Sequence, residues 1–422
     1  MQRNKLIYIS STRIPSKKAN TYQSFCVCEA FAKKSLEVHF WHPSRKNDYA
    51  GTSPDTGLQE AFNAYDIKRI FSIQRRFSLD IPSLMQFSNR LWFALAAFSF
   101  SVSCLLALLK EPQNTVIYTR DSLTLSLLGV VKWCGLLKNR IFYEAHRYSP
   151  REDYFSRVID GLVVINDCLR KLYDPDSRRD ILVAHDCIRQ ETFLADKEVP
   201  STMEILTKYG LPQDCRFATY VGRFQAMGND KGIRIIIKAM KYVTEKKVIF
   251  LFVGGPLDLV SSFRLLMRQQ GIEDDRAIFL DGKPVAEFRN IYHISSLLLM
   301  PYPFTPHHAY YLSPLKMFEY MTSKRPIIAT CLPSIMEILR DGSNCVLCQP
   351  DDPQDLARKI GWVLDNDCSH LVDQAWRDVH HYTWDLRTGK ILDWMCRHGA
   401  FPGSFGTAAT DTDAYRKQGA VH

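Results

Sequence analysis

Two doubly wound α/β domains facing across a cleft are the fold class this sequence predicts, and three observations predict it. Short continuous apolar runs recur along the chain with helical stretches between them. The runs do not alternate apolar with polar residues, which marks strands buried on both faces, as in parallel sheets. The series pauses at the polar stretch ADKEVPSTMEILTKYGLPQD and then restarts, so the βαβ rhythm is read twice. At 422 residues the chain is long enough for two domains of ordinary size.

In chain order the first series is LIYIS, VHFW, VIYTR, IFYEAH, LVVIN and ILVAHD; the second is FATYVG, VIFLFVGG, IFLDG, LLLMPYP, PIIAT and NCVLC. This predicts a first Rossmann-like domain over residues 1–198 and a second over 199–375. A helical segment over 376–396 is placed to pack back on the first domain. The tail over 397–422 lacks a periodic apolar face and is expected to be disordered. Ligands of such folds lie at the carboxyl ends of strands, so the cleft between the two sheets is the expected site.

Composition narrows the function. An apolar fraction of 46% and a charged fraction of 23% belong to a globular protein. The net charge of +9 is uneven: residues 1–200 hold 28 Lys+Arg against 21 Asp+Glu, or +7, which leaves +2 for the rest. A basic first half points to an anionic partner. No zinc finger, RNA-binding sheet motif or basic helix repeat supports nucleic acid as that partner. The opening MQRNKLIYIS runs straight into a strand-like segment without a secretory apolar region, so a cytoplasmic protein is expected. The 12 cysteines are scattered through apolar runs and read as reduced core residues. Cys345 and Cys348 form one CxxC without a second pair, and a strand explains them better than a metal.

The run LWFALAAFSFSVSCLLALL, Leu91 to Leu109, reaches the length of a membrane span. A span would put the strands before and after it on opposite sides of the membrane and destroy the first sheet. It is therefore read as a helix of the first domain, either fully buried in the core or with a face around Trp92, Phe93 and Phe100 available to the inner face of a membrane. Arg75, Arg76 and Arg90 upstream would add attraction to anionic lipid.

Chemistry is concentrated in the second series. In YVGRFQAMGNDKG a strand ends, Gly222 permits a tight turn, and Arg223 and Lys231 flank the loop that follows. Two such cations can close on a diphosphate, Arg as a planar fork and Lys as a point charge; the plain alternative is two solvated surface cations. Gly254 and Gly255 end the next strand and allow close backbone approach. In SPLKMFEYM a helix is expected to start near Ser313 and Pro314, with Ser313 as N-cap and free N–H groups presented to an anion from Leu315 on. Glu319, an acid in an otherwise apolar pattern, is either a solvated surface residue or an acceptor held in the cleft for a pair of ribose hydroxyls. Three Asp-x-Asp triplets, Asp174 with Asp176, Asp365 with Asp367 and Asp411 with Asp413, read as turn or capping residues rather than as a metal site.

These segments resemble a known family. YVGRF…KG, FVGG and SPLKMFEYM…RPIIAT…PSIMEIL…DGSN…PDDP are similar to the nucleotide-sugar half of the retaining glycosyltransferases of family 4, which have the GT-B fold. YISSTRIPSKKANTYQSFCVCEAFAK, YTRD and YEAH resemble the first half of bacterial polysaccharide-forming members. The resemblance covers about residues 4–395. It implies that Arg223 and Lys231 bind the donor diphosphate, that Glu319 binds ribose as the second acid of an E-x7-E motif, and that His146 lies near the reacting sugar on the acceptor side. Tyr311 stands where many members have the first acid.

The resemblance thus implies a retaining transferase in cell-surface polysaccharide synthesis. It would use a nucleotide-sugar donor, a glycan or lipid-linked acceptor and no metal or other cofactor. A sugar-nucleotide epimerase of the same architecture and a donor-binding subunit without activity are the rival readings. His146 by itself, at the end of a strand, has a structural reading as well, and Glu144 two residues earlier shares its face.

Overall fold

The computed structural model describes residues 4–401 apart from 15, 17, 45–53, 82, 84, 85, 196, 197, 227, 228 and 246. Residues 402–422, most of the tail expected to be disordered, lie outside the described residues.

The first series of apolar runs folds into a seven-stranded sheet. Its strands are β1 (Lys5–Ile9), β2 (Glu37–Pro43), β3 (Ser72–Arg76), β4 (Val116–Thr119), β5 (Ile141–Ala145), β6 (Gly161–Val164) and β7 (Ile181–Val183). All neighbours pair parallel, in the order β3-β2-β1-β4-β5-β6-β7. The central strands are buried along their length because helices cover both faces, which is why their sequences show no alternation. Strand order reverses between β1 and β4, and the crevice beside that reversal is where such sheets take ligands.

The second series repeats the plan. Its strands are β8 (Arg216–Val221), two two-residue strands that pair antiparallel within one loop, β9 (Gln225–Ala226) and β10 (Asn229–Asp230), and then β11 (Val248–Val253), β12 (Ala277–Leu280), β13 (Leu297–Met300), β14 (Ile327–Thr330) and β15 (Val346–Cys348). The main sheet is parallel in the order β12-β11-β8-β13-β14-β15 and reverses between β8 and β13.

The chain passes between the two cores at Cys187, packed in the first, and Ile188, packed in the second. It returns near residue 380: Val379 is the last core residue of the second domain, and Trp384 lies in the first. The returning helix, Trp384–Arg397, lays Ile391, Leu392, Trp394 and Met395 against the helix Ala19–Lys33 and β5. Gly161 at the start of β6 makes room for it, since a Cβ there would lie 2.3 Å from the Trp394 ring.

The apolar run before β4 forms the helix Asn89–Leu108, which by length and composition alone would suit a membrane span. It packs on β2 and β3 instead. The structure corrects which of its residues face outward. Trp92 and Phe100 are buried, with the Trp92 indole donating to Asp80 Oδ1 at 2.8 Å. The outward face is Leu91, Phe98 and Leu106, and Phe93 near the start of the helix is exposed as well. Spacing explains the difference: Trp92, Ala96, Phe100, Cys104 and Leu108 recur every four residues and form one ridge on the sheet. Of the three upstream cations, Arg76 stacks on the Trp41 ring at 3.7 Å and Arg75 is half-buried, whereas Arg90 is exposed.

Arg387 ties the returning helix to the first sheet. It is 3% exposed, its NH2 meets Glu144 Oε2 at 2.9 Å, and its Nε donates to the His185 carbonyl at 2.9 Å. Removing one member of such a pair strands a buried charge. Arg387→Met is expected to cost about 3–5 kcal/mol of stability, measured by urea unfolding, and a loss within the noise of a surface substitution would contradict this role.

Candidate active site

On the first domain, functional side chains gather where β1, β4 and β5 end. His146 follows β5 directly, and its Nε2 lies 2.7 Å from Glu144 Oε1. Burial, with Arg120 adding to it, pushes the His146 imidazole down to about 4. The ring is therefore neutral near pH 7; Nε2–H donates to Glu144 and Nδ1 carries the lone pair. Burial alone would push Glu144 up, but Arg387, His146 and Arg120 together hold its carboxyl well below the usual range. The Tyr118 hydroxyl donates to the same carboxylate, so Glu144 is a buried hub that orients His146. Asp186 lies in the same field. Burial pushes its carboxyl up to about 7 although Arg387 and Arg120 oppose it, and the Gln23 amide donates to it.

On the second domain, Gly222 follows β8 with φ +133°, in the range that favours glycine. A Cβ at Gly254 would sit 1.9 Å from the Gly222 carbonyl oxygen, so its missing side chain lets two strand ends touch. The closeness at Gly254 is thus to the protein's own backbone. Gly255 ties the same corner, accepting from the Phe224 N–H at 2.8 Å. Arg223 is exposed, and its Nε donates to the Gln225 carbonyl at 3.4 Å. Lys231, at the far end of the loop, is half-buried; burial lowers its amine and the Arg223 charge lowers it further. The two cations therefore share one field at the reversal between β8 and β13.

The segment SPLKMFEYM differs in detail from its sequence reading. The helix runs Leu315–Met321, Pro314 is its cap residue, and no side chain caps it. Ser313 does not cap because its hydroxyl is taken by the other domain, accepting from the Asp186 N–H at 2.9 Å. With seven residues the helix is too short to carry the anion-site expectation by itself. Glu319 is 7% exposed, which excludes a solvated surface acid. Its Oε2 accepts from the Tyr292 hydroxyl at 3.2 Å, and burial pushes the carboxyl up to about 7. Tyr311, in place of a first acid, packs against the apolar cluster of the first domain built on β5 and β6, so the two domains touch there through an apolar contact.

Several site residues were not picked out from the sequence. Lys316 lies inside the segment already quoted, where a Lys three residues before a Glu passes for a surface pair. Arg120 directly follows YT in YTRD. Arg387 has no local signal, because its partner Glu144 is more than two hundred positions away. Glu337, within PSIMEIL, accepts from the backbone N–H groups of Asp167 and Cys168 at 2.8 Å each and faces His185 Nε2 at 2.8 Å. It closes a second bond between the domains.

Comparison with known proteins bears on the fold and on the second domain. Residues 216–366, most of the second domain, match the family described as glycosyl transferases group 1. Both parallel-sheet domains together have the GT-B fold. The HepE protein of Anabaena, solved with UDP and glucose, superposes with a TM-score of 0.67 at 14% identity over 94% of this chain and 100% of that one. Sucrose-phosphate synthase from Thermosynechococcus elongatus gives 0.69 at 16% identity, over 94% and 100%. An uncharacterized glycosyltransferase of Methanocaldococcus jannaschii is 24% identical over 42% of this chain. A D-inositol 3-phosphate glycosyltransferase of Corynebacterium kroppenstedtii is 24% identical over 61% of this chain and 59% of its own length. The chain spans 43% of the length of the first two curated relatives it matches.

Burial of Glu319 has a measurable consequence. The folded chain holds a proton there up to about 7, whereas an ordinary glutamate releases it near 4.5. Its contribution to stability is therefore full below the ordinary value and is lost as pH rises toward and past the folded one. Glu319→Gln removes that loss, so the variant's melting temperature relative to wild type is expected to be higher at pH 8 than at pH 5. A difference independent of pH would show that the carboxyl titrates normally.

Proposed function

We propose that this protein is a retaining glycosyltransferase that moves a sugar from a nucleotide diphosphate sugar to a glycan or lipid-linked acceptor, in the synthesis of cell-surface polysaccharide. One observation supports the reading above the others. The loop carrying Arg223 and Lys231 sits at the strand reversal of the domain that matches glycosyl transferases group 1. The UDP bound by HepE makes UDP-sugars the first donors to test.

The acceptor hydroxyl oxygen forms the new bond to the anomeric carbon while the bond to the diphosphate oxygen breaks. Attack comes from the face the diphosphate leaves, and a departing phosphate oxygen takes the acceptor proton. Arg223 and Lys231 stabilise the charge that grows on the diphosphate. Neutral His146, held by Glu144, offers its Nδ1 lone pair to a sugar hydroxyl on the acceptor side. Nothing in this scheme calls for a metal.

We further propose peripheral attachment at the inner face of the membrane. The reading is supported by the apolar outer face of the helix Asn89–Leu108, with Phe98 55% exposed and, on a neighbouring helix, Trp133 76% exposed. Solvent alone gives no reason for so apolar an outward face. Exposed Arg90 and Lys110 bracket the helix and suit anionic lipid.

Release of nucleoside diphosphate from a panel of UDP-, GDP- and ADP-sugars tests the donor reading. Arg223→Ala and Lys231→Ala are each expected to cut turnover roughly 10²–10³-fold with the fold intact, while EDTA leaves it unchanged. Near-normal turnover in both variants would remove the diphosphate assignment, and donor binding without turnover would favour a donor-binding subunit.

Flotation with anionic liposomes tests attachment. Wild type is expected to float and the double variant Phe98→Asp/Trp133→Asp to stay in the load, with high salt weakening the association only in part. Absence of wild-type flotation at low salt would reject attachment.

A further inference from the structure

The crevice between β8 and β13 holds a buried amine to which the described residues offer aromatic rings but no hydrogen bond. Lys316 sits in the first turn of the helix Leu315–Met321, and its side chain reaches back over the strand reversal. Its Nζ is fully buried and makes no hydrogen bond among the described residues. It lies 3.6 Å from the centroid of the Tyr220 ring and 5.5 Å from that of Tyr302. The missing Cβ at Gly222 leaves the amine its place, since a carbon there would be 3.0 Å from Nζ.

We propose that Lys316 is an anion-binding residue of this crevice, a third cation beside Arg223 and Lys231 that engages the donor diphosphate. The inference rests on the donor reading above and assigns to it a residue not otherwise accounted for. A structural lysine at full burial would pair with a carboxylate or with carbonyls, because an unpaired ammonium is among the costliest groups to bury. Among the described residues no carboxylate lies within ion-pair distance of Lys316. The charged and titratable groups around it are Lys231, Glu319, Tyr220 and Tyr302. Burial and then Lys231 hold the amine well below its ordinary range, and Glu319 opposes them weakly. A diphosphate entering at Arg223 and Lys231 would bring the negative charge that this corner lacks. In a desolvated crevice such a contact is stronger than on a surface. The ring face of Tyr220 meanwhile keeps the amine pointed at the strand end.

Inorganic pyrophosphate is the probe, with affinity read by calorimetry on the full chain and folding followed by thermal melting. Lys316→Met keeps length and removes charge. It is expected to weaken pyrophosphate binding by about tenfold or more while the melting temperature holds or rises. Lys316→Gln serves as a second variant with the same expectation. Unchanged pyrophosphate affinity in both variants overturns the inference, as does a fall in melting temperature that accounts for the whole effect. Lys231→Ala separates the two levels of the argument. If it weakens pyrophosphate binding and the Lys316 variants do not, the donor reading stands and this inference fails. If wild type itself does not bind pyrophosphate, both fail.

Discussion

A guanidinium and a carboxylate, both buried, hold this molecule's first domain in working order. Glu144 lies one residue before the end of β5, while Arg387 arrives from the returning helix, more than two hundred positions later in the chain. Neither charge is tolerable there alone, so the returning helix and the strand end must come together or not fold at all. Once paired, Glu144 has an oxygen left for His146 and accepts from Tyr118 as well. The orientation of the imidazole is thus a by-product of how the returning helix is fastened to β5. The helix Ala19–Lys33 is caught in the same fastening, since the returning helix packs against it and Gln23 bonds to Asp186.

The second domain solves a different problem. It gathers cations at the end of β8, and among the described residues neither Lys231 nor Lys316 forms an ion pair with an acid, which costs stability in the free protein. Lys231 and Lys316 both have depressed amines, and in both cases burial is the larger cause. Such an arrangement is favourable only toward an anion, and the reversal between β8 and β13 is where the sheet leaves room for one. Glu319 lies farther along the same helix with its carboxyl pushed toward neutrality, so it does not quench the cations outright.

The two sites are joined by few but directional bonds. Ser313 accepts from the Asp186 backbone, Leu312 accepts from the Asn166 amide at 3.1 Å, and Glu337 takes two backbone N–H groups from the first turn of the helix Asp167–Tyr173. On the second domain Leu312 and Ser313 lie just before Lys316 in the chain, and on the first Asp186 lies in the field of Arg387 and Arg120.

Periodicity alone determined the two parallel sheets, because a strand covered on both faces must be apolar throughout and a helix must separate it from the next. The loop cations Arg223 and Lys231 were legible for a similar reason: strand, glycine and basic residue are contiguous, and local sequence fixes local geometry. Glu319 was legible as an anomaly, an acid in an apolar pattern, although its burial was not. Tertiary structure alone decided the rest. Ser313 reads as a helix cap until the Asp186 N–H claims its hydroxyl across the cleft. Trp92 and Phe100 read as an outward face until a four-residue ridge turns them onto the sheet. Lys316 gave no signal in the sequence, because only the fold buries its amine without a hydrogen bond among the described residues. Arg387 gives no sign of its role, because a charge buried by packing is specified by residues that are distant in the chain and near only in the fold.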